Sequence, residues 1–491
     1  MTRPHGQKIV QFVLLLCFAT TATYAQTFAR RTFHGKNGAF PAYASLVQGP
    51  DGNFYGTTSA GGSKRGGTVF EVTSTGELKT LHSFCSKDPD CADGEGPQAG
   101  LVLATDGNFY GTTATGGSHV GPNMPGGTVF KITPSGQLTT LYSFCSEPNC
   151  TDGTRPWSKL FQATDGNFYG TTSSGGVGIC TPDCGTVFKM TPSGTLTTLY
   201  SFCSAFGCAD GSTPLAGMVQ GIDGDLYGTA SSGGTRGCDD GCGTLFRITL
   251  EGKLTQIYDF SLSQGGGPVA GVVQGIDGNF YGTASGGGAG DAGTVYEITP
   301  AGELTILHSF DEYTDGVDPT GTLIQANDGN FYGTTLGGGS ENGWGTAFSI
   351  TPTGTLTTLH TFCLQQGCPD GTNLFGGLLQ ATNGAFFGTA SNGGSYCHGF
   401  GCGTIFNIDI GLGPFVTFVQ PFGRVGKTGG ILGQGFTGTT NVSLNGVPAS
   451  FTVVSDTFIN ATVPAGATTG YVTVATPSGT LTSNVPFHVI P

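Results

Sequence analysis

One unit is written seven times along this chain, and that repetition restricts its fold more than any other feature. A block reading Asp-Gly-Asn-Phe-Tyr-Gly-Thr-Thr starts at Asp51, Asp106, Asp165 and Asp328, with related versions at Asp223, Asp277 and Asn383. Successive starts lie 55, 59, 58, 54, 51 and 55 residues apart. A second block, Gly-Thr-Val-Phe or a close variant, begins at Gly67, Gly127, Gly185, Gly243, Gly293, Gly345 and Gly403. After six of these comes a third block, Thr-x-x-Gly-x-Leu-x-x-Leu/Ile-His/Tyr-x-Phe, ending at Phe84, Phe144, Phe202, Phe260, Phe310 and Phe362. Repetition at about 50 residues points to a propeller or a solenoid, and β-solenoid coils need far fewer residues.

Each unit divides into four short strands, a to d. In the first, strand a is Leu46 to Gln48, and the turn at Asp51-Gly52 leads into strand b, Asn53 to Thr58. Asp-Gly is among the strongest hairpin signals. A glycine-rich loop precedes strand c, Thr68 to Thr73, and Ser74-Thr75-Gly76 turns the chain into strand d, Glu77 to Phe84. Four antiparallel strands form the blade of a β-propeller. The seventh repeat has no strand d after Ile410. An orphan strand stands instead at the N-terminus, where Thr32-Phe33-His34 matches Thr80-Leu81-His82 and Pro41 leads into Leu46 as Pro97 leads into Leu101. That strand is expected to complete the last blade and remove the open edges of a linear array.

Composition narrows the class further. Glycine supplies 89 of 491 residues and only 10% are charged, against about 25% in ordinary proteins. Such a chain could be disordered, but 35 Phe and 15 Tyr provide ample surface to bury. The net charge of -14 argues against nucleic acid as a partner. Residues 1–25 read as a secretory signal: Arg3 and Lys8, an apolar run from Ile9 to about Ala22, then Thr23-Tyr24-Ala25 before an expected mature start at Gln26. A lipid-anchored reading of Cys17 fits poorly with Leu16 before it. No later segment is long and apolar enough to be expected to span a membrane.

Removing the signal leaves 14 cysteines in seven close pairs. Cys85/Cys91, Cys145/Cys150, Cys203/Cys208 and Cys363/Cys368 lie between strand d and the next strand a; Cys180/Cys184, Cys238/Cys242 and Cys397/Cys402 lie between strands b and c. An exported chain meets an oxidising compartment, so local disulfides are expected. Zinc fits poorly, since the spacings are short and His398 is the one histidine close by. Connections with a cysteine pair advance 16 or 17 residues from the closing Phe to strand a, whereas those after Phe260 and Phe310 advance 12 and 13.

Strand alternation places the a–b and c–d turns on one face and the b–c and d–a loops on the other. The second face carries every cysteine pair, the variable insertions, and both tryptophans, Trp157 and Trp344. Variable loops on a rigid scaffold are where binding concentrates, so Trp157 and Trp344 are the candidate ligand contacts. His34, His82, His308 and His360 share a repeat position with Tyr142, Tyr200 and Tyr258, which reads as packing rather than general base. Asp93, Asp152, Asp210, Asp315 and Asp370 precede a glycine before strand a; calcium ligation is the sharper reading of them and turn formation the expected one. Gln48, Gln162, Gln220, Gln274, Gln325 and Gln380 line the innermost strands and should bond neighbouring blades. No nucleophile triad, His-Glu-x-x-His or phosphate loop is present, so no catalytic residue, metal or cofactor is assigned.

From about Pro414 the repeat ends and alternating strands follow: Phe415–Val419, Gly430–Leu432, Asn441–Leu444, Ala449–Val454, Thr457–Val463, Tyr471–Ala475 and Val485–Ile490, as in a small sandwich. The repeats, with Asp-Gly-Asn-Phe-Tyr-Gly-Thr-Thr and Gly-Thr-Val-Phe-x-Ile-Thr-Pro-x-Gly, resemble the tandem GloVer repeat of secreted bacterial proteins over about residues 40–410. The tail resembles an IPT/TIG domain through Pro421-Phe422-Gly423, Gly426, Gly433, Phe436 and the run Val453 to Thr457, which implies an immunoglobulin-like sandwich. The expected fold class is thus all-β: a seven-bladed β-propeller over 26–410 followed by an Ig-like sandwich over 411–491. The expected function is a binding or scaffolding module for an extracellular glycan or protein, exported to the cell surface or medium, with the periplasm as alternative. The rival is an extracellular carbohydrate-active hydrolase or lyase, since propellers host both.

Overall fold

Short strands flanked by glycine turns pair only with their sequence neighbours, and that local pairing builds the whole repeat region. In the first unit Val47–Gln48, Phe54–Thr58, Thr68–Val72 and Leu78–Ser83 form one antiparallel sheet in that order. The structure is a computed structural model describing residues 27–490 except 42, 44, 87–90, 120–125, 178–183, 237, 239–240, 342 and 395–400. The signal-like segment 1–25, Cys17, Cys180, Cys397 and His398 lie outside the described residues. Among those described, the repeats make seven four-stranded antiparallel sheets arranged in a propeller-like ring. Strand b is buried at every position in six of the seven sheets and strand c nearly so, while strand d is partly exposed. Such burial requires cover on both sheet faces. At Gly56 in strand b, a Cβ would meet the Phe70 ring at 2.6 Å and Leu46 at 2.9 Å, which explains the glycine inside each Phe-Tyr-Gly-Thr block.

Two sets of aromatic contacts join neighbouring sheets. The Phe after strand d packs edge-on or tilted against an aromatic of the next strand c: Phe84–Phe130, Phe144–Phe188, Phe202–Phe246, Phe260–Tyr296, Phe310–Phe348 and Phe362–Phe406, with centroids 4.7 to 5.2 Å apart. The seventh contact, Phe33–Phe70 at 5.1 Å, joins the last sheet to the first. Strand b rings stack across six interfaces, as in Tyr55–Phe109 at 4.2 Å and Phe54–Phe387 at 4.1 Å. At the remaining interface Leu226 replaces the ring and packs in one cluster with Tyr169.

Closure by the N-terminal strand is direct, since Thr27–Thr32 pairs with Thr404–Asp409 as the outer strand of the last sheet. Its alignment differs from the sequence match. Thr32 faces Thr404 as Ser83 faces Thr68, so Thr32 stands at the place of Ser83, not Thr80. Phe33 N–H donates to Gly403 O as Phe84 N–H does to Gly67 O. His34 therefore leaves the His/Tyr position, where Arg31 stands instead, donating to the Thr75 and Gly76 carbonyls of the first sheet. The match of Thr32 and His34 to Thr80 and His82 set Phe33 against Leu81, whereas Phe33 takes the place of Phe84, the apolar anchor that must enter the interface.

Glutamines on the innermost strands complete the ring. Each accepts from a backbone N–H of the preceding sheet: Thr105 to Gln162, Thr164 to Gln220, Ile222 to Gln274, Ile276 to Gln325, Asn327 to Gln380 and Thr382 to Gln48, all at 2.9 or 3.0 Å. The second sheet carries Leu103 instead, and the residue opposite it is Pro50, which has no N–H to give.

Past the last sheet, two four-stranded sheets enclose a second core of Val416, Ile431, Phe436, Val442, Ile459 and Val474. Three elements differ from the sequence reading. Val447–Pro448 is a short strand paired with Asn441–Leu444. Gly479–Thr482 is a strand, paired with Val472–Thr476 across a two-residue Pro477-Ser478 loop. Phe422–Arg424 pairs in parallel with His488–Ile490. This unit docks on the a–b turns of the repeats. Ser455 and Thr457 hydroxyls donate to Pro50 O at 3.1 and 2.7 Å, and Gln434 donates to the Thr382 hydroxyl. Val419, Leu432 and Phe458 pack with Tyr55, Leu103 and Phe109.

Closure predicts a specific cost. Phe33→Ala should lower stability by about 3–5 kcal/mol, as for a core Phe, and match Phe202→Ala at an internal interface when both are measured by denaturant unfolding. A cost near zero for Phe33→Ala alone would contradict ring closure.

Candidate functional site

The axis of the ring holds a cavity of about 370 Å³, and three tiers of residues build it. The inner tier is strand a, with Val102, Phe161, Val219, Val273, Ile324 and Leu379. The outer tier comes from the d–a connections and contains Tyr43, Trp157, Leu215, Val269, Thr320 and Phe375. Its mouth therefore lies on the loop face, opposite the docked C-terminal unit. Between the two runs a tier of small residues, including Ser45, Gly217, Thr322 and Gly377. The glycines there are sterically required: a Cβ on Gly217 would meet Lys159 O at 2.8 Å, and one on Gly377 would meet Thr322 O at 2.4 Å. The third repeat alone places a long side chain, Lys159, in this tier.

Electrostatics in the cavity is simple. Its lining contains no Asp, Glu or His among the described residues. Burial in apolar surroundings pushes the Lys159 ammonium below its ordinary range and the Tyr43 phenol above its own. Trp157 packs on Tyr43 with centroids 5.8 Å apart, and Tyr43 packs on Phe375 at 4.7 Å. Among the described residues, the buried Trp157 Nε1–H has no acceptor and the buried Thr320 hydroxyl has no partner. An ammonium, an indole N–H and a hydroxyl over apolar walls suit an acceptor-bearing ligand.

The surrounding loops are bridged internally by disulfides. Five pairs are described, Cys85–Cys91, Cys145–Cys150, Cys203–Cys208, Cys238–Cys242 and Cys363–Cys368; Cys184 and Cys402 are disulfide-bonded as well. Both cysteines of each d–a pair adopt positive φ, from 46° to 65°. A side chain pays roughly 1–2 kcal/mol for that conformation, and the bridge limits the alternatives open to the unfolded loop.

The recurring Asp-Gly pair anchors these loops from inside. Asp93 accepts from His82 at 3.0 Å and from the Ser86 backbone at 3.2 Å, and Asp370 pairs with His360 at 3.0 Å. Asp152 and Asp210 accept from Tyr142 and Tyr200, and Asp315 pairs with His308. In the fourth sheet Gln264 takes this role for Tyr258. The His/Tyr position is thus a donor site matched to a loop acceptor, and no group of metal-binding side chains occurs among the described residues. Burial pushes the Asp93 and Asp370 carboxyls up, but the hydrogen bonds from Ser86 and His82, and from His360 and Cys363 N–H, outweigh it and leave both below the usual range.

A carboxyl depressed on folding stabilises above its unfolded pKa, about pH 4, and loses that stabilisation as pH falls through the folded value. Asp93→Asn/Asp370→Asn should therefore be less stable at neutral pH by about 1–3 kcal/mol for each site. It should also show a shallower loss of denaturation midpoint between about pH 5 and pH 2. An unaltered acid slope would refute the assignment.

The structure separates the two tryptophans. Trp157 lines the axial cavity, whereas Trp344 is 55% exposed on a b–c loop and does not line it. Lys159 and Thr320 escaped sequence reasoning, although aligning the repeats at Ser45, Gly100, Lys159, Gly217, Gly271, Thr322 and Gly377 exposes the lysine as the one large residue.

Among solved structures, a luciferin-regenerating enzyme is similar at 10% identity, covering 79% of this chain and 97% of its own, with a TM-score of 0.40. A protein of unknown function from Bacteroides thetaiotaomicron is similar at 11% identity, covering 78% and 76%, with a TM-score of 0.39. No curated protein sequence matches. The profile described as the Gloeobacter/Verrucomicrobia repeat matches residues 89–266 and 235–451, well over half of the chain. The chain belongs to the Gloeobacter/Verrucomicrobia (GloVer) repeat family.

Proposed function

We propose that this is an exported binding protein: a seven-bladed propeller over residues 26–410, carrying an IPT/TIG-type Ig-like domain over 411–491, that takes a glycan or protein ligand on its disulfide-rich loop face. The observation that carries this reading is the axial cavity, whose outer tier belongs to that face and whose Trp157 indole N–H is buried without an acceptor. Binding surfaces favour such partly desolvated aromatic anchors on a rigid frame. The tips of the d–a connections add exposed apolar side chains on the same face, with Phe206 at 96%, Tyr313 at 64% and Leu364 at 59% exposure. Export is supported by the signal-like residues 1–25 and by bridged cysteines, which persist in oxidising compartments. The same reading pairs Cys180 with Cys184 and Cys397 with Cys402. In the propeller, the N-terminal strand serves as the outer strand of the seventh blade.

Hydrolysis of glycans through paired carboxylates finds no acids in the cavity lining among the described residues, so binding is the reading that the cavity favours. Two measurements test the proposal. Non-reducing peptide mapping of the mature protein should return seven local bridges and no free thiol; a bridge between blades would count against it. In a glycan-array screen of the mature protein, Trp157→Ala should weaken any hit by about 2 kcal/mol or more with the melting temperature retained. If only substitutions in the Asp-Gly turns of the opposite face abolish binding, the working face is the other one.

A further inference from the structure

We infer that the axial cavity binds a small organic anion, a single carboxylate carried on a body about the size of one sugar ring, held by Lys159, Trp157 and Thr320. This rests on the loop-face reading above and supplies the ligand class for it. Lys159 is not demanded by the scaffold. The equivalent positions of the other repeats carry glycine, serine or threonine, and the ring closes around them without a long side chain. No ion pair or hydrogen bond engages Lys159 among the described residues, and the surrounding lining offers no carboxylate to neutralise it. Lys159 is half-buried among apolar walls, where a charge without a counter-ion is costly, so its presence calls for a partner from outside the chain.

Two further groups point to the same partner. The Trp157 Nε1–H and the Thr320 hydroxyl are both buried, both without a partner among the described residues, and both belong to the outer tier of the cavity, next to the middle tier that holds Lys159. Ammonium and indole N–H groups only donate, and buried donors in proteins are nearly always satisfied. Three donors carrying one positive charge match a carboxylate, which accepts through both oxygens and brings one negative charge. A phosphate dianion would bring a second charge for which the cavity has no cation. Tyr43, Trp157 and Phe375 form an aromatic wall, with ring centroids 4.7 and 5.8 Å apart along it, and ring faces of this kind pack against the C–H face of a sugar or another ring. The volume of about 370 Å³ is ordinary for a small-molecule site.

The test uses the full mature chain at pH 7, titrated calorimetrically with galacturonate and galactose as a matched pair, and with oligogalacturonate and neutral galacto-oligosaccharide as a second pair. The acid of each pair should bind at least about tenfold more tightly than its neutral counterpart. Lys159→Met should abolish that preference, Lys159→Arg should retain it, and Trp157→Phe, which keeps a ring and removes the N–H, should weaken the acid alone. Tighter binding of the monomer identifies a free acid as the ligand source, and tighter binding of the oligomer identifies an acidic glycan. Unliganded Lys159→Met should melt no lower than wild type, because methionine fills similar space without an unpaired, half-buried charge; Lys159→Gln provides the same test should methionine perturb folding. Equal affinity for acid and neutral sugar, unchanged preference in Lys159→Met, or no heat with either acid overturns the inference. Neutral binding that is lost in Trp157→Ala but kept in Lys159→Met would overturn the anion alone and leave the loop-face reading standing.

Discussion

Contact between neighbouring sheets, more than pairing within them, holds this molecule together. A four-stranded sheet with two-residue inner strands has too few ladder hydrogen bonds to persist alone, and its central strands are apolar on both faces. Each sheet becomes stable only when a neighbour covers each side, and the neighbour needs the same. A linear stack would leave two apolar faces and a row of unpaired backbone groups, so closure is the arrangement in which every copy is satisfied. The aromatic contacts between sheets make that requirement concrete. Such pairs contribute about 0.5–1.5 kcal/mol each beyond the area they bury, and here they recur around the entire circuit, ending on Phe33–Phe70.

Departures from the repeat show which residues act as pairs. The Tyr hydroxyl in strand b donates to the Asp that opens the same block, as in Tyr55 to Asp51 and Tyr332 to Asp328, both 2.7 Å. The last repeat has Phe387, with no hydroxyl, and there the Asp has become Asn383. Leu103 lacks the amide that its equivalents use, and the residue opposite is Pro50, which lacks the donor. In both cases the partner changed along with the residue, leaving no buried polar group stranded. The Pro50 carbonyl then accepts from Ser455 and Thr457, so the irregular interface doubles as part of the footprint of the C-terminal unit.

These pairings explain what could be read from the chain and what could not. Repeat length, strand number and the orphan N-terminal strand were legible because turn residues and apolar alternation are local signals. The inter-sheet glutamines were legible because a buried amide on every inner strand has few other uses. The N-terminal register was misread because matching Thr32 and His34 to Thr80 and His82 set Phe33 against Leu81; Phe33 instead enters the interface as Phe84 does, and the alignment follows from it. Asp93 and its equivalents read as turn residues, with cation ligation as the alternative, and their loop-anchoring role was not legible because their partners His82 and Tyr142 lie on a different strand and meet them only in the folded loop. The two tryptophans were alike in sequence, both in loops of one face, and only the radial position of each repeat segment distinguishes an axial Trp157 from a peripheral Trp344.

Lys159 escaped notice for the opposite reason. A sevenfold pattern invites attention to what recurs, whereas a ligand breaks the symmetry of its host. The scaffold needs small residues in the middle tier because neighbouring backbones approach within Cβ contact there, and that same need leaves open space on the axis. One long side chain can occupy this space without disturbing any sheet contact. The cavity and the charge inside it therefore have separate origins: repetition forces the first, and a single departure supplies the second. In a closed repeat protein, the residues that hold the ring and those free to serve a ligand are distinguished by whether their neighbours change along with them. Phe387 and Leu103 were matched by Asn383 and Pro50, whereas Lys159 has no counterpart among the described residues.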